Sequence, residues 1–183
     1  MPLRVIAGVA KGRRLTVPTS KVRPTGDRVR EALFTMLEAN LGGLEGLRVA
    51  DVACGSGALG IEALSRGAAG CAFVDLAAAS LRTARANVAA VGLDHLPVSF
   101  VRADLLAWAA RQRAGAFDLV LVDPPYAWDG WSDLLDRLAG VAVTVAVESD
   151  REIATPSGWA SLRTRRYGGS VVSVLVRDGE QDR

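Results

Sequence analysis

The stretch RVADVACGSGALG, residues 48–60, changes character halfway along. Its first half, RVADVA, is a short apolar run with the β-branched pattern of a strand buried on both faces. Its second half passes through Gly55 and Gly57 into ALGIEALSRG, which has helical spacing. A buried strand, a glycine-rich turn and a helix are the opening of a βαβ unit. The remainder of the chain repeats the alternation: CAFVD, AAASLRTARANVAAVG, PVSFVRAD, LLAWAARQR, FDLVLVD, WSDLLDRLA and VAVTVAVE. Short apolar runs separated by amphipathic helices imply an α/β fold with a parallel sheet, helices on both faces and ligands at the carboxyl ends of the strands. The ending, WASLRTRRY followed by GGSVVSVLVRD, reads as two antiparallel strands joined at Gly168-Gly169. The alanine-rich stretches 77–90 and 107–116 are predicted helical.

Upstream of residue 48 the pattern differs. LRVIA, a turn at Gly8 to Gly12, and RRLTV ended by Pro18 predict a β-hairpin. Pro24, Thr25 and Asp27 then open a helix through about Asn40, with Val29, Leu33, Phe34 and Leu37 on one face and Gly42-Gly43 as its stop. The division expected is a basic hairpin arm, 1–25, before a catalytic domain, 26–183. Charge is divided the same way. The chain carries 22 Lys and Arg against 20 Asp and Glu, yet residues 1–30 hold eight basic side chains and Asp27 alone, a local charge of +7 against −5 for the rest. A basic arm on an acidic body is the footprint of a polyanion-binding protein.

Length and composition narrow the classes. With 183 residues, 50% of them hydrophobic, the chain is long enough for one well-buried core. No run has the length of a membrane span, and the N-terminus lacks the uninterrupted apolar core of a signal peptide, so a cytoplasmic protein acting as a monomer is expected. Cys54, Cys71 and His95 are too few for a structural zinc site, and no metal is assigned. A hydrolytic triad would have only His95 as its base.

The loop Asp51-x-x-x-Gly55-x-Gly57-x-x-Gly60, with Asp75 twenty residues beyond Gly55, fits two nucleotide cofactors. A dinucleotide would set its pyrophosphate beside the Asp51 carboxylate, an unfavourable placement. A cofactor with a cationic amino-acid part and no phosphate suits Asp51, and S-adenosylmethionine is such a cofactor. The loop resembles the motif of class I methyltransferases. On this reading Asp51 faces the cationic end, Gly55, Ser56 and Gly57 form the bare loop, Asp75 with Leu76 takes the ribose end, and Asp104 accepts from the adenine amine. Strand-end aspartates also commonly cap the next helix, which is the structural alternative for each taken singly.

The fourth strand ends in Asp123-Pro124-Pro125-Tyr126. Two prolines cannot continue a ladder and fix a rigid exit loop. The tetrapeptide resembles the catalytic motif of methyltransferases that modify planar nitrogens. Asp123 and the Pro124 carbonyl would accept the two N–H groups of an exocyclic amine, Pro125 would stiffen the loop, and Tyr126 would stack on the base.

Taken with RVIAGVAKGRRLTVP, RPTGDRVREALFTML, VAVE and RRYGGS, these motifs make the chain similar to the RsmD family of bacterial ribosomal RNA methyltransferases over almost its whole length. The resemblance implies a Rossmann-like class I fold with a mostly parallel seven-stranded sheet, an antiparallel C-terminal strand and an N-terminal β-hairpin extension. It implies methyl transfer from S-adenosylmethionine to N2 of one guanine in 16S RNA, free or in a small-subunit assembly intermediate. It also implies that Arg4, Lys11, Arg13 and Arg14 of the hairpin, with Arg23 and Arg28 after it, lie on RNA. Two departures stand out: Ala77 where relatives often carry a second acid, and Gly26 where a threonine is common. A DNA adenine-N6 methyltransferase shares the tetrapeptide, but about 46 residues before the catalytic fold leave little room for reading a DNA sequence. An inactive RNA-binding module is opposed by the intact Asp51, Asp75 and Asp123.

Overall fold

The computed structural model describes residues 3–17 and 26–179. Its elements are α1 (Asp27–Leu41), β1 (Arg48–Val52), α2 (Ala58–Ser65), β2 (Gly70–Asp75), α3 (Ala78–Ala90), β3 (Val98–Arg102), α4 (Leu105–Ala109), β4 (Phe117–Val122), α5 (Trp131–Leu138), β5 (Ala142–Ser149), β6 (Trp159–Tyr167) and β7 (Ser170–Arg177). Seven strands form one sheet in the order β3-β2-β1-β4-β5-β7-β6. The first five run parallel, and β7 is antiparallel to both of its neighbours.

Alternation along the buried strands creates two cores. Val49, Phe73, Leu119, Leu121, Val172 and Val174 face α1, α2 and α3, whereas Ala50, Val52, Val120, Val122, Val145 and Leu175 face α4 and α5. Asp51 shares the parity of Val49, so its carboxylate is turned toward α2 and fully buried. Helix α1 buries Leu33, Phe34, Met36 and Leu37, and it ends where Gly42, at φ +71°, returns its N–H to the Glu38 carbonyl.

One expected helix is cut short. The alanine-rich stretch 107–116 is helical only to Ala109. Gly115, at φ +64°, bonds through its N–H to the Gly140 carbonyl, and Phe117 bonds to that of Val141. Pairing with the next strand therefore overrides alanine's helix propensity.

The N-terminal hairpin pairs Arg4 with Arg14 and lies against α2 and α3. Leu3, Val5, Ala10 and Leu15 belong to the same buried cluster as α1 and α2. Its backbone is tied down by side chains of the helices. Glu62 accepts from Ile6 N (2.8 Å) and Ala7 N (2.9 Å), Ser65 Oγ from Ala10 N (3.0 Å), and Asn87 Oδ1 from Thr16 N (2.8 Å). Gly8 must be glycine: a Cβ there would lie 1.8 Å from the Ser65 carbonyl oxygen.

Candidate active site at the carboxyl ends of β1, β2 and β4

The chain leaves β1 through a strained turn. Ala53 has φ +61°, the one non-glycine residue with a left-handed backbone among those described. Such a conformation costs about 1–2 kcal/mol outside glycine and marks functional loops; nothing in the residue type announced it. Gly55 and Gly57 follow at φ +54° and +77°. Gly57 also lies close to α3, where a Cβ would meet Ala84 at 3.0 Å, whereas a Cβ on Gly55 would meet nothing within 4 Å. Gly60 seats α2 on the sheet, since a Cβ there would strike the Phe73 ring at 2.5 Å and the Cys71 sulfur at 2.7 Å. The three glycines thus do different work: Gly60 and Gly57 permit packing, and Gly55 keeps the loop's outer surface bare.

Of the three strand-end aspartates, Asp51 and Asp75 bond to this loop and Asp104 does not. Asp51 accepts a hydrogen bond from Gly60 N at 2.8 Å. Burial pushes its carboxyl well above the usual carboxylate range, against the pull of that hydrogen bond, and the charges of Asp123 and Asp75 add to the rise. Asp75 braces the loop, with Oδ2 accepting from Gly55 N at 2.9 Å and Oδ1 from Ala77 N at 2.8 Å. Leu76 beside it is 61% exposed. Asp104 caps α4, Oδ1 accepting from Leu106 N and Ala107 N. Ser56 is buried, and its carbonyl accepts from Asn87 Nδ2.

The tetrapeptide begins one strand away. Register aligns Val52 with Val122, and Asp123 N reaches the Val52 carbonyl at 3.4 Å, so Asp123 follows directly beside the glycine loop. Tyr126 is 40% exposed, but its phenol is anchored. Its oxygen lies 2.7 Å from Ser170 Oγ at the start of β7, and both hydroxyls approach Glu148 Oε1 on β5, Ser170 at 2.9 Å and Tyr126 at 3.5 Å. Arg151 Nη1 donates to the Tyr126 carbonyl at 3.3 Å. Glu148 and Ser170 lie in the VAVE and RRYGGS segments but had no role assigned from sequence; their link to Tyr126 spans 22 and 44 residues.

The basic N-terminal residues are less uniform than their count. Lys11, Arg13 and Arg14 are exposed, as is Arg28 at the start of α1. Arg4 is exposed and 3.7 Å from Asp27. Arg23 lies outside the described residues, with Pro24 and Thr25 of the same motif. Arg30, one of the eight basic residues counted over positions 1–30, is fully buried between Asp27, Glu62 and the Arg4 carbonyl, and burial lowers its pKa. It cannot meet a polyanion. Among the described residues no three His, Cys, Asp or Glu side chains converge to hold a metal ion, and no helix is long and apolar enough to cross a membrane.

A parallel sheet with a reversed seventh strand inserted between the fifth and sixth, carrying its loops at the carboxyl ends of β1, β2 and β4, is the frame of the Rossmann-like class I methyltransferases, and the chain is built on it. The family model described as conserved hypothetical protein 95 matches residues 3–176. The ribosomal RNA small subunit methyltransferase D of Escherichia coli is 34% identical over 192 residues, covering 98% of this chain and 93% of that protein. YlbH of Bacillus subtilis is 34% identical over 187 residues, covering 97% of this chain and all of the relative. The solved structure of yhhF from Escherichia coli superposes with a TM-score of 0.83 at 30% identity, over 98% of this chain and all of that one. The chain belongs to this family, that of the ribosomal RNA small subunit methyltransferase D proteins.

Proposed function

We propose that the protein transfers a methyl group from S-adenosylmethionine to the exocyclic N2 of a guanine in 16S ribosomal RNA. The observation that carries this reading is the adjacency of the two loops: Asp123 begins the tetrapeptide at hydrogen-bond distance from the end of β1, so a ligand on the glycine loop and a base at the tetrapeptide would meet.

The residues fit the cofactor. Asp51 lies in the field of the Asp123 and Asp75 charges, and a cationic ligand would relieve that repulsion. Gly55 leaves space above the loop, Asp75 has lone pairs beyond its two backbone bonds for ribose hydroxyls, and the exposed Leu76 offers an apolar face to a purine. Asp104 is the acceptor assigned to the adenine amine in addition to its capping bonds. When bound, S-adenosylmethionine supplies an electrophilic sulfonium methyl. The chain's task is to present a poor nucleophile correctly. A guanine amine has its lone pair delocalised into the ring. The Asp123 carboxylate and Pro124 carbonyl accept its two N–H groups and favour the pyramidal form, while Pro125 stiffens the loop. Tyr126, fixed through Ser170 and Glu148, sets the plane of the base by stacking. Orientation of this kind supplies up to ~7–11 kcal/mol of barrier reduction. Arg4, Lys11, Arg13, Arg14 and Arg28, with Arg23, hold the RNA.

Mass-spectrometric mapping of ribosomal RNA from cells lacking the protein tests the reading. One N2-methylguanosine of 16S RNA should revert to guanosine, and purified protein with S-adenosylmethionine should restore it. An unchanged modification map would overturn the assignment.

A further inference from the structure

The opposite edge of the sheet from β3 carries a second basic surface. Strand β6 is the edge strand, and Arg163, Arg165 and Arg166 are all exposed on it. Among the described residues none of the three is paired with a carboxylate. Register places Arg163 opposite Val174, Arg165 opposite Val172 and Tyr167 opposite Ser170. Directly opposed residues share a face, and Val172 and Val174 pack on the α1 side. Arg163, Arg165 and Tyr167 therefore follow one another along the α1 face of the edge. Between α1 and the end of β6 lies an open cavity of about 770 Å³, lined on the helix by residues that include Arg28, Glu31 and Thr35 and on the strand by Arg166, Tyr167 and Gly168. Arg163 and Arg165 continue along the edge beyond that lining, while Arg166, opposite Val171, alternates from them and reaches the cavity at the strand's end. Glu31 is its one carboxylate among the lining residues.

The groove leads to the candidate active site. Tyr167 and Ser170 face each other across the Gly168-Gly169 turn, and Ser170 is the residue bonded to the Tyr126 phenol. The turn is bare. A Cβ on Gly169 would meet nothing within 4 Å, and its φ lies outside the left-handed region that demands glycine. Glycine where neither conformation nor packing requires it fits close approach of another molecule.

We infer that this groove is a track for the single-stranded RNA flanking the target nucleotide, with Arg28, Arg163, Arg165 and Arg166 on its phosphates and a base stacked on Tyr167. The inference rests on the RNA substrate proposed above. Arginine rows beside an aromatic ring are how proteins hold unpaired strands. Charges on an edge strand also keep other strands from pairing there, but that role requires neither the tyrosine nor a bare turn beside the catalytic loop.

Binding of a fluorescein-labelled single-stranded RNA of about 12 nucleotides, a length within typical site sizes, is measured against salt for the full chain. Two charge-matched variants are compared: Arg163→Gln with Arg165→Gln and Arg166→Gln, and Arg111→Gln with Arg113→Gln and Arg137→Gln at exposed positions elsewhere. The edge triple should lose about 2 units of log–log salt slope, at ~0.7 per phosphate contact, and the control triple almost none. Tyr167→Leu, which keeps the packing, should weaken binding roughly 5- to 150-fold, the range of one lost base stack. Thermal melting and S-adenosylmethionine affinity should stay at wild-type values. Equal slopes for the two triples would remove the groove and leave the methyltransferase reading intact. Normal RNA binding with lost binding to small-subunit particles would make the partner a protein and overturn the inference. A wild-type protein that does not bind this RNA would remove the groove, whereas the methyltransferase reading stands or falls with the modification map.

Discussion

Helix α2 meets a buried carboxylate at each end, and the two are treated in opposite ways. Near its last turn stands Glu62, fully buried. It accepts from Ile6 N and Ala7 N, is bonded by Arg66 at 2.9 Å, and has the Arg30 guanidinium at 3.9 Å. The fold itself supplies every compensation that charge needs, and in return the carboxylate holds the hairpin to the domain. At the first turn stands Asp51, also buried, with Gly60 N as its donor and two further carboxylates as its charged neighbours. A buried anion must be paired, hydrogen-bonded or protonated. The first is satisfied by the protein; the second has one backbone donor and like charges for neighbours, and on the function proposed above a cationic ligand would satisfy it. Burial alone does not separate a structural from a functional carboxylate, but the origin of its compensation does.

The largest effect should come from Glu62. Removing one partner from a buried charge network typically costs about 3–5 kcal/mol, and Glu62→Ala also strands two backbone donors of the hairpin. Chemical denaturation should show a loss of that size, while the folded fraction binds S-adenosylmethionine with unchanged affinity. Asp51→Asn should do the reverse, keeping or raising stability and losing cofactor affinity. If both variants lose stability alike, the two ends of α2 are not different in kind.

Asp123→Ala comes next. Losing one acceptor aimed at developing charge costs about 10²–10³ in rate, and single-turnover methylation of small-subunit RNA should fall by this much with cofactor affinity nearly intact. An active variant would move the reaction away from the tetrapeptide.

The raised pKa of Asp51 makes a third, smaller prediction with a definite sign. In the free protein the carboxyl holds its proton to higher pH than in the unfolded chain, so stability falls as pH rises from the ordinary carboxylate range through the raised value. A cationic ligand favours the ionised form, so binding expels the proton within that window. Affinity for S-adenosylmethionine should therefore rise with pH, by up to about tenfold per unit. Calorimetric enthalpies should vary with the ionisation enthalpy of the buffer there. In Asp51→Asn both dependences should vanish. Proton uptake on binding would mean that Asp51 does not face the cation.

Much of this was readable from residue order because it is local. The glycine loop, the acids at strand ends and the double proline announce themselves through turn chemistry within a dozen residues, and the strand–helix alternation follows from period alone. Arg30 shows the limit: it counts as one more basic residue until Asp27, Glu62 and the Arg4 carbonyl enclose it. The hairpin's dependence on Glu62, Ser65 and Asn87 is likewise a matter of contacts 55 to 71 residues apart. The left-handed Ala53 has no signature because alanine does not ask for that conformation. Ala77 and Gly26, the two departures from the family pattern, fare differently: Ala77 still gives its N–H to Asp75, and Gly26 leaves α1 without a side-chain cap.

The smallest effect belongs to the Tyr126 hydroxyl, and it bears on how the substrate side of the site is held. On the function proposed above, the ring is what stacks on a base. The hydroxyl lies between Ser170 and Glu148, on two strands that contribute nothing to the cofactor loop. Tyr126→Phe keeps the stacking surface and removes a hydrogen bond of the kind worth about 0.5–1.5 kcal/mol. If that whole amount goes into positioning, methyl transfer should fall roughly two- to tenfold. Tyr126→Ala, which loses the stack as well, should fall further by the ~1–3 kcal/mol of a base–aromatic contact, because an extruded base must be kept from restacking. Ser170→Ala separates anchoring from chemistry: it should match Tyr126→Phe in rate, and combining the two should add little, since both remove the same contact. A Tyr126→Phe protein as inactive as Asp123→Ala, with Ser170→Ala near wild type, would mean that the phenol itself acts on the substrate.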